Sequence, residues 1–205
     1  MKSFFEQQRP HDGLTYDEYL AQWQRKLDAP RQGLDPSARR QRFYIRYNHE
    51  RAERVRAAYE RSEDLAAALA AIEAPQLWMV LTEDWCGDSA YSLPIIARAA
   101  EASPLITLRI LPRDANLDVM DQYLTGGARS IPKLVAFGED GEEQFQWGPR
   151  PAEAQRLRDQ LKAEGASSAE MTQAMLAWYD EGQWQQVDSE LAAAIAQAAK
   201  QPADG

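Results

Sequence analysis

The chain has 205 residues, 44% hydrophobic and 27% charged, with a net charge of −9 at pH 7. That apolar share is enough for a buried core, and the acidic balance argues against a dedicated nucleic-acid binder. No apolar stretch approaches the ~20 residues needed to cross a bilayer, so no membrane partner is expected. Met1-Lys2-Ser3-Phe4-Phe5-Glu6-Gln7-Gln8 turns polar too soon for a secretory signal. Cys86 is the single cysteine, which rules out an internal disulfide. Together these features point to the cytoplasm.

Thr15-Tyr16-Asp17-Glu18 fits a capping box and predicts a first helix ending near Ala29-Pro30. Asp35-Pro36 then supplies an N-cap and a proline at the first helical position of a long helix running toward Tyr59. Tyr44, Tyr47, Ala52, Val55 and Tyr59 form its apolar stripe, read as packing rather than as a binding surface. Basic residues outnumber acidic ones from Arg31 to Arg61. Arg39, Arg40, Arg42, Arg46, Arg51, Arg54, Arg56 and Arg61 alternate there with Glu50, Glu53 and Glu60, which reads as a solvated, ion-paired helix face. His49 falls on that helix and is expected at its exposed surface.

The middle of the chain alternates. Glu63–Ile72 predicts a helix and Gln76–Thr82 a strand; a helix follows Cys86, and Leu105–Leu111 predicts a second strand. Leu117–Tyr123 reads as a short helix and Lys133–Phe137 as a strand. Gly138-Glu139-Asp140-Gly141 makes a turn into Glu143–Trp147, the second arm of a hairpin. A helix over Ala152–Ala163 stops at Gly165. The order βαβα followed by ββα describes an α/β sandwich with a mixed central sheet. Beyond Gly165, Ser167-Ser168-Ala169-Glu170 is another capping box. Met171, Met175, Trp178 and Tyr179 continue at helical spacing, and Trp184, Val187, Leu191 and Ile195 mark a last amphipathic helix.

Cys86 lies in Trp85-Cys86-Gly87-Asp88-Ser89, where a buried strand hands over to a helix N-terminus. Unpaired N–H groups and the helix dipole at such a position favour a thiolate and predict a lowered thiol pKa. A lone cysteine is more often a buried, inert one, so the reading depends on its surroundings. Glu83 and Asp84, just before the motif, shape its solvation. His11 and His49 lie far apart without zinc-ligand spacing, and no metal site is expected.

Taken together, these residues resemble the thioredoxin fold from about Ser62 to Gly165, leaving residues 1–61 and 166–205 as helical extensions. Trp85-Cys86-Gly87 is similar to the thioredoxin active-site opening, and Pro94 stands where thioredoxins carry a proline in the active-site helix. Ile131-Pro132, leading into the strand from Lys133, looks like the family's cis-proline, and Gly141 and Gly148 match family glycines. Leu111-Pro112-Arg113-Asp114 and Trp147-Gly148-Pro149-Arg150-Pro151 are similar, more narrowly, to a bacterial subfamily of poorly defined function. The resemblance implies that Cys86 is the nucleophile and Ser89 a donor to its thiolate. Trp85, Gly87, Asp88, Ile131 and Pro132 would contact the partner, Ile131 by offering its backbone to an extended substrate.

Departures narrow that chemistry. Ser89 replaces the resolving cysteine, so a mixed disulfide on Cys86 would need an external thiol such as glutathione. Asp88 replaces the usual proline and puts an anion near the sulfur, which opposes thiolate formation. Val80 stands where thioredoxins keep a buried aspartate. The leading expectation is a monothiol redox protein acting on protein or low-molecular-weight thiol and disulfide partners, with no cofactor and no nucleic acid. A non-catalytic binding or scaffold module is the alternative, with the helical extensions forming a partner or homodimer surface. A third reading takes Cys-Gly-Asp-Ser as similar to the Cys-Gly-Phe-Ser of monothiol glutaredoxins, which hold an iron–sulfur cluster with glutathione. Pro149-Arg150-Pro151 lacks the acidic pair with which glutaredoxins hold glutathione.

Overall fold

The alternating middle of the chain closes into a four-stranded sheet in the computed structural model, which describes residues 2–30 and 32–200. Met1, Arg31 at the head of the basic stretch, and residues 201–205 of the C-terminal extension lie outside the described residues. In chain order, α1 (Ser3–Glu6), α2 (Tyr16–Asp28), α3 (Pro36–Ala58) and α4 (Glu63–Ala70) come before β1 (Gln76–Thr82). Helix α5 (Gly87–Glu101) leads to β2 (Ile106–Pro112), and α6 (Leu117–Met120) to β3 (Lys133–Phe137) and β4 (Glu143–Trp147). After them come α7 (Ala152–Ala163), α8 (Ser168–Asp180) and α9 (Gln186–Ala198). None of the described helices is long and apolar enough to cross a membrane.

The strand order is β2-β1-β3-β4. β1 and β2 are parallel, joined by the α5 crossover that a parallel pair requires, while β1–β3 and β3–β4 are antiparallel. The mixed α/β sandwich expected from the sequence is therefore present. The helix starts also fall where the caps place them. Thr15 and Ser167 each accept from the N–H three residues on, and Glu18 and Glu170 return the bond to the cap. Helix α6 is shorter than expected, because Tyr123 leaves it to bury its ring and place its hydroxyl on Glu143 at 2.7 Å.

Successive strand residues point to opposite faces, and both faces are covered. Trp78, Val80, Ile110, Leu134 and Ala136 face the larger core, packed with residues of α2 to α5 and α7 to α9. His49 belongs beside this core rather than on the surface: it is half-buried, its ring edge-on to Trp23 at 5.4 Å. Leu77, Met79, Leu81, Leu111, Val135 and Phe137 face the other side, covered by α6 and by Phe4 and Phe5 of α1. Those two rings are only 1% and 5% exposed. At about 1.5–3 kcal/mol for each buried large apolar side chain, a segment that turns polar within a few residues is nonetheless an anchor. Behind it, Leu14 bridges the outer strand: its N–H donates to the Ile110 carbonyl at 2.9 Å, and the Ile110 N–H donates back at 2.8 Å.

The C-terminal helices are tied in by buried polar groups. The Asp188 carboxylate accepts from the Tyr59 hydroxyl at 2.5 Å, from the Ser62 N–H at 3.2 Å and from the Ser62 hydroxyl, joining α9 to the corner between α3 and α4. Glu190 reaches across to a second element. Its carboxylate accepts from Trp147 Nε1–H at 2.8 Å and from the Ala152 N–H at 2.7 Å, the first turn of α7, whose own N-cap Pro151 offers no side-chain acceptor. Glu190→Ala removes both bonds and should cost about 1–2 kcal/mol in chemical denaturation. A loss within a few tenths of that of an exposed substitution would show that the α7 cap contributes nothing.

Candidate functional site

Cys86 occupies the N-cap position of α5, with φ −82° and ψ 121°. Three residues carry the chain from β1 to this point, and each is fixed. The Glu83 carboxylate accepts from the Asp114 N–H at 2.8 Å, and burial raises its carboxyl pKa. Asp84 is buried, ion-paired to Lys26, and its carbonyl accepts from Asn48 Nδ2 at 3.2 Å. The half-buried Trp85 ring lies 4.8 Å from the Arg113 guanidinium. Lys26 and Asn48 come from α2 and α3, so the N-terminal helices clamp the turn that presents the cysteine.

Cys86 is 8% exposed. Its thiol donates to the Ile131 carbonyl at 3.2 Å. Ser89, buried beneath it, accepts from the Thr82 hydroxyl at 2.6 Å, which leaves the Ser89 proton for the sulfur. The Ser89 hydroxyl and N–H favour the thiolate, as the sequence suggests, and Arg150 adds to them. Burial outweighs all three, helped by the charge of Asp88, and pushes the Cys86 thiol up to about 11. The expected lowering at a helix N-terminus is therefore reversed. A thiolate gains from the N-terminal dipole only about 0.3–1 kcal/mol near a surface, and removing the ion from water costs more.

Asp88 is not a bare anion at the motif. Its carboxylate accepts from Arg150 Nη2 at 2.7 Å and Nε at 3.2 Å, and from the Tyr179 hydroxyl at 2.8 Å. Tyr179 stacks on Tyr91 of α5, the ring centroids 4.4 Å apart and the planes 6° from parallel. One carboxylate thus joins α5, the loop after β4, and α8. A Cβ built on Gly87 would come within 3.6 Å of Leu176 Cδ2, so α8 runs directly over the motif.

The Ile131–Pro132 bond is cis, and Gly148–Pro149 is cis as well. Both Ile131 and Pro132 are buried. The Ile131 carbonyl is already engaged by the thiol, so the backbone expected to pair with an extended substrate faces inward. Cys86 instead borders a cavity of about 490 Å³, lined by Trp85, Cys86 and Gly87 together with residues of α3 and α8. From α3 these include Arg40, Tyr44, Asn48 and Arg51, and from α8 Thr172 and Leu176.

All seven residues singled out from the sequence thus lie at or beside one sulfur: Cys86, Ser89, Trp85, Gly87, Asp88, Ile131 and Pro132. Thr82, Arg150, Tyr179 and the arginines of the cavity were not anticipated. The stripe read as packing is divided, since Ala52, Val55 and Tyr59 are buried whereas Tyr44 is 42% exposed and lines the cavity. The unmatched charge of Asp88 was a signal for Arg150, but only the fold brings the two together. Among the described residues no group of three or more His, Cys, Asp or Glu side chains could hold a metal ion.

A family model described as Thioredoxin matches residues 37–162, more than half of the chain, beginning inside α3. No curated protein matches. Among solved structures, a Pseudomonas aeruginosa protein of unknown function, PA1234, superposes with a TM-score of 0.56 at 20% identity, covering 90% of this chain and 99% of that one. An HIV epitope-scaffold superposes with a TM-score of 0.53, also at 20% identity, with the same coverage. At that identity they show the shared fold. With four mixed strands, a cysteine opening α5 and the family match across them, the chain belongs to the thioredoxin family.

Proposed function

We propose that the protein is a cytoplasmic monothiol redox protein in which Cys86 attacks an oxidised-thiol partner and an external thiol resolves the product. In this reading residues 62–165 carry the chemistry and the helical extensions shape access to it. The observation that supports it best is Cys86 on a cavity wall, at the start of α5, with the Ser89 hydroxyl and N–H favouring its thiolate. The Cys86 thiolate attacks one sulfur of a disulfide; a new S–S bond forms, the old one breaks, and the departing thiolate takes a proton from water. Cys86 is oxidised and the departing sulfur reduced. An external thiolate then attacks the partner's sulfur, and Cys86 leaves and is reprotonated.

The protonated resting thiol sets the rate. With the thiol at about 11, roughly one molecule in 10,000 carries the thiolate at pH 7, against a few per cent for a free cysteine. The more basic thiolate is about tenfold more nucleophilic, so the net handicap is a few tens-fold. Holding the partner in the cavity must offset it, which proximity does readily. The same protonated, buried thiol favours a second reading, a thioredoxin-fold binding module in which Cys86 is only part of the wall.

A pH series separates the two. Iodoacetamide labelling of the native protein should titrate near pH 11, the rate rising about tenfold per pH unit below that. At pH 9.5, 2-hydroxyethyl disulfide should leave a mass adduct on the wild type, absent in Cys86→Ser and released by added thiol. No adduct on the folded wild type would overturn the redox reading and leave the binding module.

A further inference from the structure

The seven arginines of α3 divide into three groups, of which Arg39 and Arg42 donate to the carbonyls of Leu34 and of Leu27 and Pro30. Arg46, Arg54 and Arg56 are ion-paired with Glu50, Asp180 and Glu53. Arg40 and Arg51 line the cavity at Cys86, and among the described residues neither pairs with a carboxylate. No Asp or Glu lines that cavity, although the chain as a whole carries −9. Arg51 is held in place rather than free: its guanidinium donates to Asn48 Oδ1 at 3.0 Å, and the buried Asn48 is anchored in turn on the Asp84 carbonyl. The half-exposed Tyr44 ring adds an aromatic wall. A volume of about 490 Å³ falls within the usual size range of small-molecule sites. Ile131 and Pro132, which would dock an extended protein chain, are themselves buried.

We infer that this cavity binds a low-molecular-weight thiol or disulfide bearing carboxylates, of tripeptide size, with Arg40 and Arg51 receiving the carboxylates while its sulfur meets Cys86. Guanidinium groups suit this task, since they pair with carboxylates in a planar, bidentate way and stay charged at every working pH. The inference rests on the redox reading for the exchange step, but not for binding. The exchange is the one written above, with the small disulfide as oxidant: one of its halves joins Cys86 and the other leaves as thiolate.

Two measurements test it. Rates of mixed-disulfide formation at pH 9.5 and low salt are compared for oxidised glutathione, an anion, and bis[2-(trimethylammonio)ethyl] disulfide, a permanent dication. Oxidised glutathione should react about tenfold faster or more, and the preference should shrink as salt screens the arginines. The double variant Arg40→Gln/Arg51→Gln should lose that preference, each of its rates being taken relative to its own rate with neutral 2-hydroxyethyl disulfide. Separately, S-methylglutathione, which cannot exchange, is titrated into Cys86→Ser by NMR, and the two arginine substitutions should abolish its binding. Equal rates for the two charged disulfides, or a preference that survives the arginine substitutions, overturns the inference and leaves the redox reading intact. Arginine-dependent binding of S-methylglutathione without any exchange on the wild type supports the inference and overturns the redox reading.

Discussion

Gly148→Ala should be among the most damaging single substitutions in this chain, costing about 3–5 kcal/mol or preventing folding. Gly148 has φ +108°, a conformation that residues with a side chain rarely adopt, and a Cβ built there would lie 2.2 Å from the Pro132 carbonyl oxygen. That neighbour is backbone, so it cannot rotate away. Gly182 is the control, with φ +88° and nothing within 4 Å of the added Cβ. Gly182→Ala should therefore cost only about 1 kcal/mol, the conformational share alone. Urea denaturation of both variants separates close approach from backbone strain. If the two lose the same amount, the contact between the Pro132 and Gly148 loops does not constrain the protein.

Arg150→Met should cost about 3–5 kcal/mol, because it strands the Asp88 carboxylate where only the Tyr179 hydroxyl remains to serve it. The two side chains are 10% and 16% exposed, so water cannot replace the guanidinium cheaply. Adding Asp88→Asn to Arg150→Met should restore much of the loss, and a double-mutant cycle measures the coupling. The same cycle acts on the sulfur with opposite signs. Asp88 raises the Cys86 thiol and Arg150 lowers it. Asp88→Asn alone should therefore bring the alkylation midpoint below 11, and Arg150→Met alone should move it higher. Midpoints that do not respond would mean that the pair holds α8 in place without acting on the sulfur's charge.

The strands and the helix starts were legible because they depend on local signals. The apolar run of β1, the hairpin turn before β4 and the capping boxes at Thr15 and Ser167 each lie within a few residues of one another. The set of residues around Cys86 was legible through its resemblance to thioredoxins, and the structure gathers every one of them. Three things were not legible, all for the same reason. The direction of the thiol shift depends on how much protein lies over Cys86, and that cover is supplied by α3 and α8 from opposite ends of the chain. Arg40 and Arg51 look like their neighbours on a charged helix until the fold shows which arginines have carboxylates to meet. Phe4 and Phe5 stand among polar residues, and nothing nearby in sequence marks the sheet face that they cover.

The bridge at Leu14 bears on what this protein does in company. The outer edge of a sheet is a template onto which a strand from another molecule can add, beginning a chain of like pairings. Here the segment between α1 and α2 has taken the middle of that edge, and both hydrogen-bonding groups of Ile110 are spent within the same molecule. The segment that clamps the Cys86 motif from one side is thus continuous with one that keeps the β2 edge from recruiting its own kind.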